Sequence, residues 1–214
     1  MRTKKGFGPR TPEYLIAACA FLICSALVGY SAQSGDFTYE DRGTYIEITD
    51  YPDDATGEVV IPSEIVGKPV TGIGGWAFFN CTFLTSVSIP DSVTSIGDGA
   101  FAECNRLANV TIPDGVTSIG VQAFHASQWS LLTAITVDAV NPAYSSMDGV
   151  LFDKAQATLL HYPQGRAGGY TIPDSVTSIA VFAFGKCFNL TSVTISDSVA
   201  SIGQEAFFEC TSLT

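Results

Sequence analysis

Residues 84–101 read Leu-Thr-Ser-Val-Ser-Ile-Pro-Asp-Ser-Val-Thr-Ser-Ile-Gly-Asp-Gly-Ala-Phe, and this stretch decides the fold because it recurs along the chain. Its closing pair, Ala-Phe, appears at 77–78, 100–101, 123–124, 183–184 and 206–207. Successive pairs follow a 23-residue spacing, except for one longer interval between the third and the fourth. A fixed period of this length indicates a solenoid, in which each repeat is one turn and stacked turns bury a continuous core.

Alternation of apolar and polar residues predicts the elements of one turn. Val87 and Ile89 are expected to point into the solenoid, because successive side chains of a strand face opposite ways. Pro90 and the residue after it predict a turn, since proline restricts φ and aspartate bonds nearby backbone donors. Ala100 and Phe101 predict a short helical corner with the ring inside. The expected fold is a repeat solenoid of 23-residue turns, with parallel β-strand ladders and short helical corners.

One turn in the middle of the chain is irregular. The interval from Ala123 to Ala183 exceeds two regular turns by more than half a turn. Segments 149–152 and 158–162 predict two short strands around a polar turn at 153–157, which would form a hairpin insert. Upstream, segments 37–39 and 45–49 predict a capping hairpin. The domain organisation predicted is a cap hairpin at 32–57 and a solenoid at 58–214 that stops mid-repeat, as a fragment of a longer chain would.

Residues 1–31 have the layout of a secretory signal peptide. Four basic residues precede an apolar run from Tyr14 to Val28, and small residues follow at Gly29 and Ser31. An uncleaved anchor and lipidation at Cys19 are the alternatives. Removing residues 1–31 takes away four basic residues and one acidic residue, which leaves 6 basic and 20 acidic residues and a net charge of −14. We therefore expect a secreted or cell-surface protein with no membrane insertion after signal cleavage.

Composition excludes several classes of function. The 214-residue chain has a net charge of −11 and only 14% charged residues. Nucleic-acid phosphates and anionic membrane surfaces both require clustered Lys and Arg, so neither is an expected partner. The two histidines lie in different turns with no obvious acid or nucleophile partner, and no nucleophile–base pair or cluster of carboxylates appears. The expected protein is not an enzyme and has no cofactor, no catalytic residues and no metal site.

The repeat unit resembles the BspA-type leucine-rich-repeat family of secreted and surface proteins. The segment from Asn141-Pro142 through Ser146-Met147-Asp148-Gly149 to Tyr162-Pro163 is also similar to an insert typical of that family. The resemblance implies a non-enzymatic role in adhesion or protein binding, with an extracellular protein or polysaccharide surface as partner. It implies no fixed catalytic or ligand-binding residues. A structural spacer that presents a C-terminal domain missing from this sequence is the alternative.

Outward positions of the predicted strands are the candidate binding residues. Their side chains are small and neutral, so they would form a flat face offering many weak hydrogen bonds. Such an extended face suits a protein or polymer better than a small molecule. The candidates are Ser86, Ser88, Asn109, Thr111, Thr136, Ser192 and Thr194.

Three other sets of residues recur or stand out, and each has more than one interpretation. One position of the repeat predicts buried free thiols, with one or two disulfides or a metal site as alternatives: Cys81, Cys104, Cys187 and Cys210. A second position of the repeat predicts turn formation at a solvent-exposed edge of the solenoid, with a row of calcium-binding sites as the alternative: Asp91, Asp114, Asp174 and Asp197. Trp76 and Trp129 predict interior or edge packing, with sugar stacking as the alternative for Trp129.

Overall fold

A computed structural model describes residues 31–214, which are built from strands and turns. The predicted signal peptide, except Ser31, lies outside the described residues. Eighteen strands follow in chain order: β1 Ser31–Ser34, β2 Phe37–Asp41, β3 Ile46–Asp50, β4 Thr56–Val60, β5 Glu64–Ile65, β6 Lys68–Ile73, β7 Phe83–Ser88, β8 Ser95–Ile96, β9 Asn109–Ile112, β10 Ser118–Ile119, β11 Ala134–Val137, β12 Tyr144–Met147, β13 Val150–Asp153, β14 Thr158–His161, β15 Gly168–Thr171, β16 Ser178–Ile179, β17 Leu190–Thr194 and β18 Ser201–Ile202. Within residues 31–214 we find no helix of the length and apolarity needed to cross a membrane.

Stacked turns form two ladders of parallel strands, as the 23-residue period predicts. The short-strand ladder joins β3, β6, β8 and β10, and its inward residues Ile48, Ile73, Ile96 and Ile119 lie in register. Beyond the insert it resumes as β14, β16 and β18. The long-strand ladder consists of the parallel pairs β4–β7, β9–β11 and β15–β17. The repeat solenoid predicted from the sequence is confirmed.

The corners that contain Ala-Phe are not helical, so this part of the prediction is wrong for residues 31–214. At the first corner, backbone N–H groups of residues 76, 78 and 80 donate to carbonyl oxygens of the next turn at 2.8–2.9 Å. Those of residues 77, 79 and 81 donate three residues back in their own turn. The residue before Ala-Phe also has a left-handed φ, which is 62° at Trp76 and 58° at Gln122. A right-handed helix cannot pass through such residues, and bonds between turns replace its own.

Aromatic rings form a stack along the interior of the corners. The rings of Phe78, Phe101 and Phe124 are stacked, with centroids 4.9 and 5.7 Å apart in successive pairs. Farther along, Phe184 stacks on Phe207 at 4.9 Å. These distances lie in the favourable range for offset aromatic pairs. Between the two stacks the core divides into two hydrophobic clusters, and the division coincides with the irregular turn.

The predicted hairpin insert is confirmed, and a third strand joins it. Strands β13 and β14 pair antiparallel across residues 154–157, while β12 pairs antiparallel with the other edge of β13. Asp148 and Gly149 make the tight turn between β12 and β13 with φ values of 51° and 78°. The insert is tied to the previous turn by Asn141, which is fully buried. Its Nδ2 donates to the carbonyl oxygens of Pro113 and Val116 at 2.7 and 2.9 Å.

Strands β1, β2 and β3 pair antiparallel at the first end of the solenoid. The ring of Phe37 lies 4.9 Å from that of Tyr51, which in turn lies 5.1 Å from Phe78. Two exposed ion pairs, Lys68–Asp41 at 2.6 Å and Arg42–Glu47 at 2.6 Å, hold the outer surface of these strands. The first interior ring is therefore covered by aromatic side chains and not left open to water.

Candidate functional site

Every candidate of the predicted binding face lies on the long-strand ladder. All are exposed except Ser86, which is half-buried. Ser86 and Ser88 lie on β7, Asn109 and Thr111 on β9, and Thr136 on β11. Because β7 packs beside β9 and β9 pairs with β11, these five form one surface, which we call the strand face. Ser192 and Thr194 lie on β17, which pairs with β15 beyond the insert.

Hydroxyl groups meet at the centre of the strand face. Thr111 and Thr136 are in register on β9 and β11, and their Oγ1 atoms lie 3.0 Å apart in a hydrogen bond. The Thr136 hydroxyl also lies 3.4 Å from the carbonyl oxygen of Val110. These contacts orient small side chains that lose little rotamer freedom when a partner packs on them. The face is thus a pre-ordered, uncharged surface at its centre.

The structure adds residues to this face that the sequence analysis missed. Strand β4 pairs with β7 and brings Glu58 opposite Ser86 and Val60 opposite Ser88. Val60 is 63% exposed, so the face has an apolar border. Phe83 is also exposed, and the guanidinium carbon of Arg106 lies 5.3 Å from the centre of its ring. The segment 56–60 aligns with the repeat by its alternation, which was the available signal.

The repeated cysteines are free, as the favoured interpretation predicted. Cys81, Cys104 and Cys187 are buried, whereas Cys210 is half-buried. Each thiol donates to a backbone carbonyl; the Cys104 Sγ lies 3.1 Å from the oxygen of Phe78. The neighbouring Cys81 thiol and burial raise the pKa of Cys104. A hydrogen bond from Cys187 lowers the pKa of Cys210 to about 7.

Thiol labelling of the native chain should therefore separate these cysteines. We expect iodoacetamide at pH 7.5 to modify Cys210 first, because it combines partial exposure with a pKa lowered to about 7 and the thiolate is the reacting form. Cys81, Cys104 and Cys187 should react only after denaturation. Peptide mass spectrometry of samples quenched over time measures this order. Equal labelling rates at Cys104 and Cys210 would contradict the burial seen here.

The recurring aspartates lie on the surface. Asp91, Asp114, Asp174 and Asp197 are all exposed, and the Asp174 carboxylate accepts a hydrogen bond from the Ser196 hydroxyl at 2.8 Å. A calcium ion needs several converging oxygen ligands. Across the described part of the chain, no group of three or more His, Cys, Asp or Glu side chains is placed to hold a metal ion. Turn formation accounts for these residues.

The ladder of hydrogen bonds along the corners is interrupted at the insert. Among the described residues, no backbone hydrogen bond joins the corner at 120–127 to residues 161–164. The ladder resumes where the N–H of Tyr162 donates to the carbonyl oxygen of Ala183 at 2.8 Å. Two histidine side chains occupy the interruption. The ring of His161 packs edge-on against Phe124 at 6.2 Å, and that of His125 packs edge-on against Phe182 at 6.1 Å.

Three buried polar atoms at this interruption lack a hydrogen-bond partner within the described chain. They are His125 Nδ1, His161 Nε2 and Gln164 Oε1, and each residue is more than nine-tenths buried. Burial, and then the nearby Lys186 ammonium group, lowers the pKa of His125 to about 4. Burial likewise lowers the pKa of His161 to about 4, and the neighbouring His125 adds to the effect. Both rings are therefore neutral at pH 7.

A groove of about 340 Å³ runs along the outer side of the corners across the interruption, and we call it the corner groove. Its lining includes Trp76, Glu103, Gln122, His125, Phe182 and Lys186. Interior or edge packing was predicted for the tryptophans, and neither is interior, because Trp76 is 49% and Trp129 72% exposed. Trp76 packs at the edge as its indole crosses Gly99, where a Cβ atom would come within 2.6 Å of the ring.

Comparison with known proteins shows which family and which solved structures the chain resembles. The BspA type leucine rich repeat region matches residues 58–145 and 168–214 in six copies. A leucine rich cell surface protein from Faecalibacterium prausnitzii A2-165 is similar in structure, with 22% sequence identity and a TM-score of 0.53 over 87% of this chain and 76% of that one. Pneumococcal vaccine antigen PcpA is similar with 17% identity and a TM-score of 0.56, over 86% and 68%. Among curated proteins, none matches in sequence.

The matches agree with the architecture. The family repeat covers more than half of the chain, and the unmatched residues 146–167 contain the insert strands β13 and β14. The two similar structures share the fold of stacked turns. Stacked repeats of this kind present extended surfaces for binding other macromolecules. On the repeat profile, this chain belongs to the BspA-type leucine-rich-repeat family.

Proposed function

We propose that the chain is a secreted or cell-surface adhesion module that binds an extracellular protein or polysaccharide surface through its strand face, without catalysis. The observation that carries the proposal is the pre-ordered Thr111–Thr136 centre on a flat row of exposed small side chains. One similar structure is a cell surface protein and another a vaccine antigen, which supports an exposed location. The acidic charge of −11 favours a neutral or basic partner surface.

The uncharged hydroxyl side chains at the centre of the strand face suit a binding surface. A partner that packs there displaces water from hydroxyls that already bond each other, so few polar groups lose a partner on binding. The apolar border at Val60 and Phe83 adds area whose burial favours association. Specificity would then come from shape across several turns and not from one deep pocket.

Arginine substitutions on the strand ladder should abolish binding. We expect Thr111→Arg and Thr194→Arg to weaken association at least tenfold, because a long charged side chain rises from a flat surface where the partner packs. Surface plasmon resonance over immobilised extracellular matrix proteins and polysaccharides measures this. Thr117→Arg is the matched control, since Thr117 is an exposed threonine directly before β10 of the short-strand ladder.

Circular dichroism must show that each variant remains folded. Normal binding by both arginine variants, together with loss of binding on deletion of residues 149–162, would transfer the site to the insert. No binding to any surface in the panel would favour a spacer role instead. Loss of binding by Thr111→Arg alone would confine the site to the half of the ladder before the insert.

A further inference from the structure

The corner groove is a second surface, separate from the strand face. It lies along the corners, where the chain passes from the short-strand ladder to the long-strand ladder. Its middle is the interruption of the corner ladder, where His125 forms part of the lining. Gly185 faces this histidine so closely that a Cβ atom on it would lie 3.0 Å from Cε1 of the ring. The corners before and after the insert therefore meet here around one imidazole.

Of the three described residues with unpartnered polar atoms, His125 lines the groove, whereas His161 and Gln164 do not. Gln164 donates its Nε2 hydrogen to the carbonyl oxygen of Gly185 at 3.4 Å, which leaves Oε1 requiring a donor. A neutral imidazole has one donor and one acceptor nitrogen, so His125 and His161 can use either kind of partner. Buried polar groups of this sort are normally hydrogen-bonded. Only His125 lines the groove, and a ligand hydroxyl group, which both donates and accepts, suits its imidazole in either tautomer.

Charges around the groove disfavour anionic ligands. Lys186 Nζ lies 3.4 Å from Glu103 Oε1, so the cation is already paired, and Glu205 adds a second carboxylate to the lining. An anion would face two carboxylates and a chain of net charge −11. The ion pair is one-quarter exposed at each side chain and costs little to displace.

Aromatic rings lie toward both ends of the groove. Trp76 and Phe79 meet edge to face with centroids 5.3 Å apart, two turns before His125. Phe182 and Phe208 meet in the same way at 6.3 Å on the corners that follow it. Trp76 and Phe208 are 49% and 41% exposed. The negative face of an aromatic ring attracts the C–H groups on the apolar side of a sugar ring.

We propose that the corner groove binds a neutral carbohydrate chain, whose sugar rings stack on Trp76 and Phe182 and whose hydroxyl groups bond to His125. Neutral saccharides combine the three properties that suit the groove, namely apolar faces, hydroxyl donors and acceptors, and no negative charge. Ligand sites in proteins commonly pair aromatic walls with a few placed polar groups in this way. This ligand would bind independently of any partner on the strand face.

The test uses the full chain and a panel of immobilised oligosaccharides. Neutral glucan, mannan and chitin oligosaccharides are compared by surface plasmon resonance with acidic hyaluronan and heparin fragments. We expect binding to at least one neutral saccharide and none to the acidic ones. His125→Phe keeps a ring against Phe182 but removes both nitrogens, and should weaken binding at least tenfold. Trp76→Ala should also weaken binding at least tenfold, and this variant tests the proposal if His125→Phe fails to fold.

Two variants outside the groove serve as controls. Trp129→Ala removes the more exposed tryptophan, and Thr117→Arg adds a charge beside the short-strand ladder; both should bind the saccharide normally. The proposal is overturned if no neutral saccharide binds, or if the groove variants bind as tightly as the parent chain. Loss of saccharide binding in Thr111→Arg alone would assign the sugar to the strand face. A peptide array bound through Trp76 with no saccharide bound would make the groove a peptide site.

Discussion

Replacing Phe101 or Phe184 with alanine is expected to lower the free energy of unfolding by about 3–5 kcal/mol, the range for large aromatic truncations in a core. Both rings are at most 1% exposed, and each stacks on rings of the turns on either side. The ring centroid of Phe101 lies 4.9 Å from that of Phe78 and 5.7 Å from that of Phe124. Truncation therefore leaves a cavity in the middle of a stack that the adjacent turns cannot easily fill.

Urea unfolding followed by circular dichroism measures this loss. Phe83→Ala is the matched control, because Phe83 is 48% exposed and contacts the Arg106 guanidinium at the surface. Its truncation should cost less than about 1 kcal/mol. Losses below about 1 kcal/mol at both Phe101 and Phe184 would mean that the aromatic stack does not hold the turns together.

Acidification is expected to destabilise the chain through His125 and His161. Burial lowers the pKa of each to about 4, whereas the ordinary pKa of histidine is 6.5. Between these values the unfolded chain binds protons that the folded chain does not, so stability falls as the pH falls. The stabilisation is fully present above pH 6.5 and is lost as the pH drops toward 4. For His161 alone the difference is on the order of 3 kcal/mol.

Thermal unfolding at intervals from pH 7 to pH 4 measures this dependence. The double variant His125→Phe/His161→Phe should show a flatter decline of Tm, because its rings cannot take up protons. Some decline remains, since the pKa of Asp41 is lowered by its hydrogen bond with Lys68 and that carboxylate also loses its partner in acid. If parent chain and double variant decline in parallel, the histidines do not control acid stability.

Local pattern was enough to predict the turns but not the corners. Alternation correctly places Val87 and Ile89 inside, because the side-chain period of a strand is a local property. The Ala-Phe corner has a helix-like composition but makes every second hydrogen bond to the next turn. That choice depends on a neighbour nearly one full turn away along the chain, and a local pattern carries no information about it. The left-handed φ at Trp76 and Gln122 follows from the same stacking.

The insert was also only partly predictable from the local sequence pattern. Its hairpin was predictable from two apolar runs, while strand β12 was missed although Asp148-Gly149 is a strong signal for a tight hairpin turn. The position of the insert also divides the candidate residues. Thr111 and Thr136 share a hydrogen bond, but Ser192 and Thr194 pair with β15 on its far side. The count of extra residues located the insert in the sequence, but it did not show that the insert separates Ser192 and Thr194 from the other candidate residues.

The 23-residue period by itself determined the solenoid, the inward positions and the row of small outward side chains, because a repeat that cannot bury its apolar face alone must stack. Only the tertiary structure decided that the corner ladder is broken between Ala123 and Ala183. At this break, His125, His161 and Gln164 are brought together although His125 is distant from the other two in sequence. Their burial is a property of packing between turns, which no single repeat encodes.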